Sequence, residues 1–126
     1  MFETKAIMTT DVISVKRDVP IGRAIEILVE NDLTALPVVD EDMALLGIVS
    51  EKDVLGLLSA LEDDSAKVED FMTTDVVSFG ADEDVIAICE CLVNSHFRRV
   101  PIVADGKLVG IVSRKDIIKY ILAPDE

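Results

Sequence analysis

The sequence predicts an α/β protein of the mixed α+β kind, built from two copies of one strand–helix–strand–strand–helix unit. Two repeated blocks lead to this prediction: Met8–Val12 returns unchanged as Met72–Val76, and Gly47–Ser50 returns as Gly110–Ser113. The offset is 72 − 8 = 64 residues at the first block and 110 − 47 = 63 at the second. A repeat of this length is a supersecondary unit whose apolar face needs a neighbour, so we expect the copies to pack together around a cleft.

The length of the chain sets the number of domains. With 126 residues, 50% of them hydrophobic, the chain can build one compact core but is short for two independent domains. We therefore expect a single module over residues 1–126, with repeat 1 at about 5–60, repeat 2 at about 69–123 and a core that both share.

Each repeat is expected to open with a short strand and continue with a helix. The β-branched segments Val12–Val15 and Val76–Phe79 favour strands. Apolar residues then recur at the i, i+3, i+4, i+7 spacing of an amphipathic helix, which Pro20 precedes in repeat 1. These residues are Ile21, Ala24, Ile25 and Leu28 in repeat 1, and Val85, Ile88, Cys89 and Leu92 in repeat 2.

A β-hairpin and a closing helix are predicted to complete each repeat. Two apolar segments separated by turn residues indicate the hairpin, with the turns at Asp40–Asp42 and Ala104–Gly106. The closing helices begin at Ser50 and Ser113. Their apolar residues are Val54, Leu55 and Leu58 in repeat 1, and Ile117, Ile118 and Ile121 in repeat 2.

Charge and hydropathy exclude two classes of partner. The formal net charge is −13, whereas nucleic-acid binding needs clustered Lys and Arg, so we expect no nucleic-acid partner. No apolar run approaches the roughly 20 residues that cross a bilayer, and the charged start of the chain is not followed by an apolar stretch. We expect no membrane partner and a cytoplasmic protein.

The cysteines and the histidine do not suggest a metal site. Cys89 and Cys91 lie two apart on a predicted helix and so point about 200° from each other. Their counterparts in repeat 1 are Ile25 and Ile27, which favours small core hydrophobes over ligands. With His96 as the single histidine, Cys and His alone cannot form a zinc site, and we expect no metal and no required cofactor.

Two polar elements could carry chemistry. Ser50 and Asp53, and likewise Ser113 and Asp116, lie three residues apart at a predicted helix start. That spacing is typical of a capping box. The same groups also suit a ligand, because helix N-terminal amides bind phosphate and a carboxylate can accept from ribose hydroxyls. The two interpretations are compatible, and both stay open at this point.

The adjacent arginines Arg98 and Arg99 stand just before a predicted strand, where repeat 1 has Thr34 and Ala35. They could be surface charge, or guanidinium groups that hold phosphate at the mouth of the cleft, with His96 as a further donor. No arrangement typical of a catalytic set is present, so we expect no enzyme.

The chain resembles the cystathionine beta-synthase (CBS) domain family, whose domains occur in tandem pairs. The resemblance covers roughly Lys5 to Leu122. It depends on three motifs that appear twice in the same order: the opening Met-Thr at 8 and 72, the strands Leu36–Asp40 and Arg99–Val103, and the Gly-apolar-apolar-Ser-x-x-Asp elements ending at Asp53 and Asp116. It implies two β-α-β-β-α units related by pseudo-twofold symmetry, often assembled as a homodimer.

The resemblance also implies two sites for adenosine-bearing ligands, each taking its base pocket from one repeat and Ser-x-x-Asp from the other. The first site would comprise Ile13, Leu33, Thr34, Ala35, Leu36, Pro37, Arg99, Ser113, Lys115 and Asp116. The second would comprise Ser50, Asp53, Val77, Phe97, Arg98, Arg99, Val100 and Pro101. Arg99 matches a phosphate-contacting arginine of the family, but repeat 1 has Ala35 there, so we expect one site to be stronger.

The implied function is a regulatory module that binds AMP, ADP, ATP or S-adenosylmethionine in the clefts between its repeats and controls an unidentified protein. The alternative is a structural module for dimerisation or protein docking that binds no small molecule. The apolar patch for that role would be Leu57, Leu58 and Leu61 on the closing helix of repeat 1.

Overall fold

The computed structural model describes residues 3–56, 65–95 and 97–122. The chain forms two compact units. One, called here the repeat-1 unit, is Ile13–Val76; the other, the repeat-2 unit, combines Met1–Val12 with Val77–Glu126. The predicted class is confirmed, because each unit consists of a three-stranded sheet with helices. The shared core and the pseudo-twofold packing of the repeats stay predictions.

Within residues 13–56 and 65–76, the repeat-1 unit contains five strands and α-helices. These are β1 (Val15–Lys16), α1 (Ile21–Glu30), β2 (Ala35–Val39), β3 (Leu45–Ser50) and α2 (Glu51–Leu55). The sheet order is β1-β2-β3, with β1 parallel to β2 and β2 antiparallel to β3. Its buried cluster consists of Val15, Ile21, Ala24, Leu28, Leu36, Val38, Val49, Ala66 and Val68.

The repeat-2 unit repeats that order. Its elements are β4 (Phe79–Gly80), α3 (Val85–Asn94), β5 (Arg99–Ala104), β6 (Lys107–Ser113) and α4 (Arg114–Leu122). The strand β4 is parallel to β5, and β5 is antiparallel to β6. Its buried cluster consists of Ala81, Ile88, Leu92, Val100, Ile102 and Val112. The predicted helix stripes are confirmed, since in both α1 and α3 the residues at their first, fourth and eighth positions are buried.

The segment that opens each repeat in the sequence packs on the other repeat's unit. A short 3-10 turn at Thr4–Ala6 joins the repeat-2 unit, where the backbone N–H of Thr4 donates to the carbonyl of Glu83 at 2.9 Å. The equivalent turn at Val68–Asp70 joins the repeat-1 unit, where the N–H of Val68 donates to the carbonyl of Val19 at 2.9 Å. Each Met-Thr motif therefore belongs to the unit built from the other repeat's strands.

The predicted opening strands are wrong over most of their length. In the described segments that open each repeat, strand pairing is limited to Val15–Lys16 and Phe79–Gly80. The backbone N–H of Val12 instead donates to the carbonyl of Thr10 at 3.0 Å, and that of Val76 donates to Thr74 at 3.1 Å. A local turn thus takes the first backbone donor of each predicted strand, although the β-branched composition suits a strand.

The predicted hairpins and closing helices are confirmed. β2 pairs with β3 from Ala35 opposite Ser50, and β5 with β6 from Arg99 opposite Ser113. The second hairpin turns through Asp105 and Gly106, both with positive φ, a conformation that glycine adopts without strain. Leu58 of the first closing helix lies outside the described residues. Within the described ranges, no helix has the length and hydropathy needed to span a bilayer.

Candidate functional site

Both Ser-x-x-Asp elements form the capping box that their spacing predicts. At the start of α2, the N–H of Asp53 donates to Ser50 Oγ at 3.2 Å, and the N–H of Ser50 donates to Asp53 Oδ2 at 2.9 Å. At the start of α4 the equivalent distances are 3.1 Å from Asp116 to Ser113 and 2.8 Å in return. All four residues are only half-buried. Each box therefore stabilises its helix and still presents polar atoms to solvent.

A threonine of the Met-Thr motif reaches each of these aspartates. Thr9 Oγ1 donates to Asp116 Oδ1 at 3.4 Å in the repeat-2 unit, and Thr73 Oγ1 donates to Asp53 Oδ1 at 3.2 Å in the repeat-1 unit. Neither threonine is among the predicted site residues. The sequence signal that could have found them is the joint repetition of Met-Thr and Gly-x-x-Ser, which implies that the two motifs are used together.

The strand starts lie beside the capping boxes within each unit. The N–H of Glu51 donates to the carbonyl of Thr34 at 2.9 Å, and the N–H of Arg114 donates to that of Arg98 at 3.0 Å. Ala35 pairs with Ser50 in one sheet, and the equivalent pair in the other sheet is Arg99 and Ser113. Of the residues predicted for the first site, the repeat-2 unit thus brings together Arg99, Ser113, Lys115 and Asp116.

Apolar side chains from the predicted adenine pockets remain partly in solvent. Ile13, Val77 and Phe97 are 41%, 43% and 44% exposed. Leu33, the counterpart of Phe97, is half-buried against the core of its unit. Exposed apolar groups of this size are available to pack on the face of a planar ligand.

Other residues predicted for the pockets have their side chains in the core. Leu36 is fully buried and Val100 is 1% exposed, and the prolines Pro37 and Pro101 that follow them are also buried. Their side chains are committed to packing inside their own units. A ligand beside these strands would meet their backbone groups rather than the apolar side chains.

The predicted phosphate-binding cations lie at the surface of the repeat-2 unit. Arg98 and Lys115 are exposed and Arg99 is half-buried. Within the described part of the chain, none of the three forms a salt bridge. Their charges are therefore available to an anionic ligand. His96, predicted as an additional donor, lies outside the described residues.

Neither cysteine is in a disulfide, and both are half-buried. Cys91 packs against the core of its unit, as predicted, whereas Cys89 lines a groove between α3 and α4. Burial raises the pKa of the Cys89 thiol, which disfavours the thiolate that metals and electrophiles require. Across residues 3–56, 65–95 and 97–122, no cluster of three His, Cys, Asp or Glu could hold a metal ion.

Comparison with known protein families identifies the family to which the chain belongs. The CBS domain matches the chain twice, at residues 5–60 and 68–123. The chain belongs to the CBS domain family. This confirms the resemblance that the repeated motifs suggested, and the two matched segments are in tandem as expected for a CBS pair.

Two solved CBS pairs are similar to this chain over nearly its whole length. CBSX2 of Arabidopsis thaliana, solved in complex with AMP, is 30% identical, with full coverage of both chains and a TM-score of 0.87. The CBS domain pair of MJ0100, solved with 5′-methylthioadenosine and S-adenosyl-L-methionine, is 28% identical, with 99% coverage of each chain and a TM-score of 0.77.

Several curated relatives are much longer than this chain. An inosine-5′-monophosphate dehydrogenase of Methanocaldococcus jannaschii is 37% identical over 90% of the chain, which spans only 22% of that enzyme. An uncharacterised protein of the same organism is 31% identical over 93% of the chain, which spans 42% of it. A CBS pair with this sequence pattern thus also occurs as part of larger proteins.

Proposed function

We propose that this chain is a regulatory module that binds an adenosine-containing ligand, with AMP, ADP, ATP and S-adenosylmethionine as the candidates. Membership of the CBS family and the AMP complex of CBSX2, which is 30% identical over its full length, support this function. The CBS pair of MJ0100 broadens the candidates, because its ligands share adenosine but lack phosphate.

The proposal depends on a pair of features that occurs in both units. Each has an exposed apolar residue, Ile13 or Val77, and a half-buried carboxylate at a capped helix start. The apolar group suits a purine face, and the carboxylate suits two ribose hydroxyls. We propose the two ligand sites with the residues that the sequence predicted, each drawing on both repeats. The exchange of base pocket and Ser-x-x-Asp between repeats stays a prediction.

We propose that the two sites differ in strength because their charges differ. Arg98 and Arg99 stand where the repeat-1 unit has Thr34 and Ala35. Guanidinium groups can hold phosphate oxygens in bidentate fashion, which Thr and Ala cannot do. The carboxylates differ too, since Asp53 Oδ2 also accepts from Ser50 Oγ at 3.0 Å. We therefore propose that Asp116 is the more available carboxylate for a ribose.

Regulation requires the ligand to favour one arrangement of the protein over another. A ligand can shift such an equilibrium only by its differential affinity for the two states. We propose a homodimer as the assembly on which this acts, in a cytoplasmic setting, with the regulated protein not yet identified. We also propose that the module requires no cofactor and catalyses no reaction itself.

Replacing Asp116 tests the binding site. Asp116→Ala removes both the capping carboxylate and the proposed ribose acceptor, so we expect AMP affinity to fall about tenfold or more, as for hydrogen bonds to a charged group. Loss of the cap should cost about 1 kcal/mol of unfolding free energy in either case. Glu90→Ala is the matched control, because it removes one exposed carboxylate of the same unit. AMP titration calorimetry and urea unfolding measure the two effects.

A second candidate function, dimerisation or protein docking without a ligand, is favoured by exposed apolar side chains on the helices. A groove of about 440 Å³ lies between α1 and α2, and one of about 400 Å³ lies between α3 and α4. Val29 and Val93, at equivalent positions of these grooves, are 76% and 81% exposed. The predicted patch of Leu57, Leu58 and Leu61 itself lies outside the described residues.

The Asp116→Ala variant also separates the two candidates. A ligand-binding module should lose AMP affinity while its sedimentation behaviour stays that of the unchanged chain. A purely structural module should show no AMP binding in either protein, and the substitution should only lower its stability.

A further inference from the structure

We propose that Thr9 and Thr73 are positioning residues, which hold the carboxylates of Asp116 and Asp53 in the orientation that a ribose diol requires. The inference rests on the proposed function, because it concerns the ribose of the adenosine ligand. Neither threonine is part of the predicted ligand contacts; each would act through its aspartate.

The donors around each aspartate reach both carboxylate oxygens. At Asp116, the N–H of Ser113 lies 2.8 Å from Oδ2, and Thr9 Oγ1 lies 3.4 Å from Oδ1. At Asp53, the N–H of Ser50 lies 2.9 Å from Oδ2, and Thr73 Oγ1 lies 3.2 Å from Oδ1 and 3.4 Å from Oδ2. A carboxylate has broad freedom of rotation about its last torsion. Donors on both oxygens remove that freedom.

The threonine backbones are themselves fixed within their units. Thr9 and Ile111 exchange two backbone hydrogen bonds of 2.8 and 2.9 Å, and Thr73 and Ile48 do the same at 2.8 and 2.9 Å. Each Met-Thr segment therefore lies against a strand at a defined register, and its hydroxyl is presented to the aspartate from a fixed position.

Stability alone does not account for these bonds. Both threonines are exposed, and a hydrogen bond between exposed groups contributes little net free energy because water competes for it. Yet the same bond occurs in both units, between residues 107 apart in the chain in one unit and 20 apart in the other. Orientation of the carboxylate is a role that an exposed bond can fill.

The acceptor positions that remain on the carboxylate suit a diol. An ionised carboxylate offers about four lone-pair positions. At Asp116 one hydrogen bond on each oxygen leaves a further acceptor position on each, whereas at Asp53 the second bond from Ser50 to Oδ2 leaves Oδ1 as the freer oxygen. Two neighbouring hydroxyls could donate to the two oxygens together, provided that the carboxylate plane is held in place. Removing the threonine hydroxyl should therefore weaken recognition of the diol and spare the rest of the ligand.

Thr9→Val tests this role, because it removes the hydroxyl and keeps the branched shape. The probes are AMP and its 2′,3′-dideoxy analogue, which lacks the diol. We expect Thr9→Val to reduce AMP affinity by about fivefold, the factor that one ordinary hydrogen bond provides, and to leave affinity for the dideoxy analogue unchanged. Thr9→Ser should retain the preference for AMP. Thr10→Val, at the exposed neighbouring position, is the matched control.

The same series at Thr73, with Thr74→Val as control, tests Asp53 independently, and thermal melting checks that each variant folds. Equal loss of AMP and dideoxy binding would show a structural role and overturn the inference. An unchanged AMP preference in both Thr9→Val and Thr73→Val would also overturn it, while leaving the proposed function intact. An unaltered chain that binds none of the four candidate ligands would overturn the proposed function, and this inference with it.

Discussion

At the scale of single residues, two glycines are required by the side chains and backbone that lie against them. A Cβ atom at Gly110 would lie 2.6 Å from Met8 Sδ, and one at Gly47 would lie 2.7 Å from the carbonyl oxygen of Thr73. Real Cβ atoms do not approach other atoms this closely. The Met-Thr and Gly-x-x-Ser motifs therefore repeat together because they pack on each other.

This packing predicts opposite effects for two glycine substitutions. Gly110→Ala should lower the unfolding free energy by about 1–3 kcal/mol, as for other over-packed sites. Gly22→Ala is the matched control: apart from the neighbouring residues and the backbone of its own helix, nothing lies within 4 Å of its added Cβ, and within α1 alanine should raise stability by about 0.5–1 kcal/mol. Urea unfolding measures both. A Gly110→Ala protein as stable as the unchanged chain would contradict the packing described here.

Single-residue predictions from the sequence succeed where partners are close in the chain. Ser50 and Asp53 are three residues apart, so their capping box follows from helix geometry alone. Thr9 and Asp116 are 107 residues apart, and no local rule brings them together. Long-range hydrogen bonds of this kind depend on the tertiary fold and had to be read from the structure.

At the scale of elements, the first hairpin depends on a carboxylate at its turn. Asp40 Oδ1 accepts from the N–H of Asp42 at 2.8 Å and from that of Ala44 at 3.0 Å. These two hydrogen bonds lower the pKa of Asp40 below its ordinary value of 3.8, and the bond from Ala44 has the larger effect. The charged side chain thus holds the turn that joins β2 to β3.

The lowered pKa gives the hairpin a defined pH dependence. A carboxylate with a folded-state pKa below its unfolded value adds stability above the unfolded pKa and loses it as the pH falls through the folded one. The contribution of Asp40 should therefore be complete above about pH 5 and decline below pH 3.8. We expect Asp40→Asn to be less stable than the unchanged chain at pH 7, with the difference shrinking towards pH 2.

Asp42→Asn serves as the control for this measurement, because it removes a neighbouring exposed charge from the same turn. Thermal melting of the three proteins between pH 2 and pH 7 gives the comparison. A stability difference between Asp40→Asn and the unchanged chain that is the same at pH 2 and pH 7 would show that these hydrogen bonds do not depend on the charge.

Element prediction from the sequence works when periodicity and turn chemistry agree. α1 and α3 follow from their apolar stripes, and each hairpin follows from two apolar segments around turn residues. The opening strands fail because β-branched composition does not specify a pairing partner. There the turns at Thr10–Val12 and Thr74–Val76 take the backbone N–H groups of Val12 and Val76, and only the last residue of each predicted segment reaches the sheet.

At the scale of the whole molecule, duplication of one unit explains the repeated fold, and residues that differ between the two copies explain its asymmetry. The two units share the element order and the capping boxes that the repeated motifs predicted, and they also share sheet topology. The CBS domain matches the chain once in each repeat. The two units differ at Thr34–Ala35 and Arg98–Arg99, so phosphate should be held unequally. The sequence alone predicts that difference. It does not predict that each Met-Thr segment joins the other repeat's unit, because the periodicity of a repeat does not determine the path of the chain between units.

The most direct test of the proposed function is isothermal titration of the unaltered chain with AMP, ADP, ATP and S-adenosylmethionine in turn. We expect saturable heat with at least one of these ligands, together with a rise in melting temperature, because a ligand that binds the folded state stabilises it. No heat and no thermal shift with any of the four would contradict a role in adenosine-ligand binding and favour the docking function.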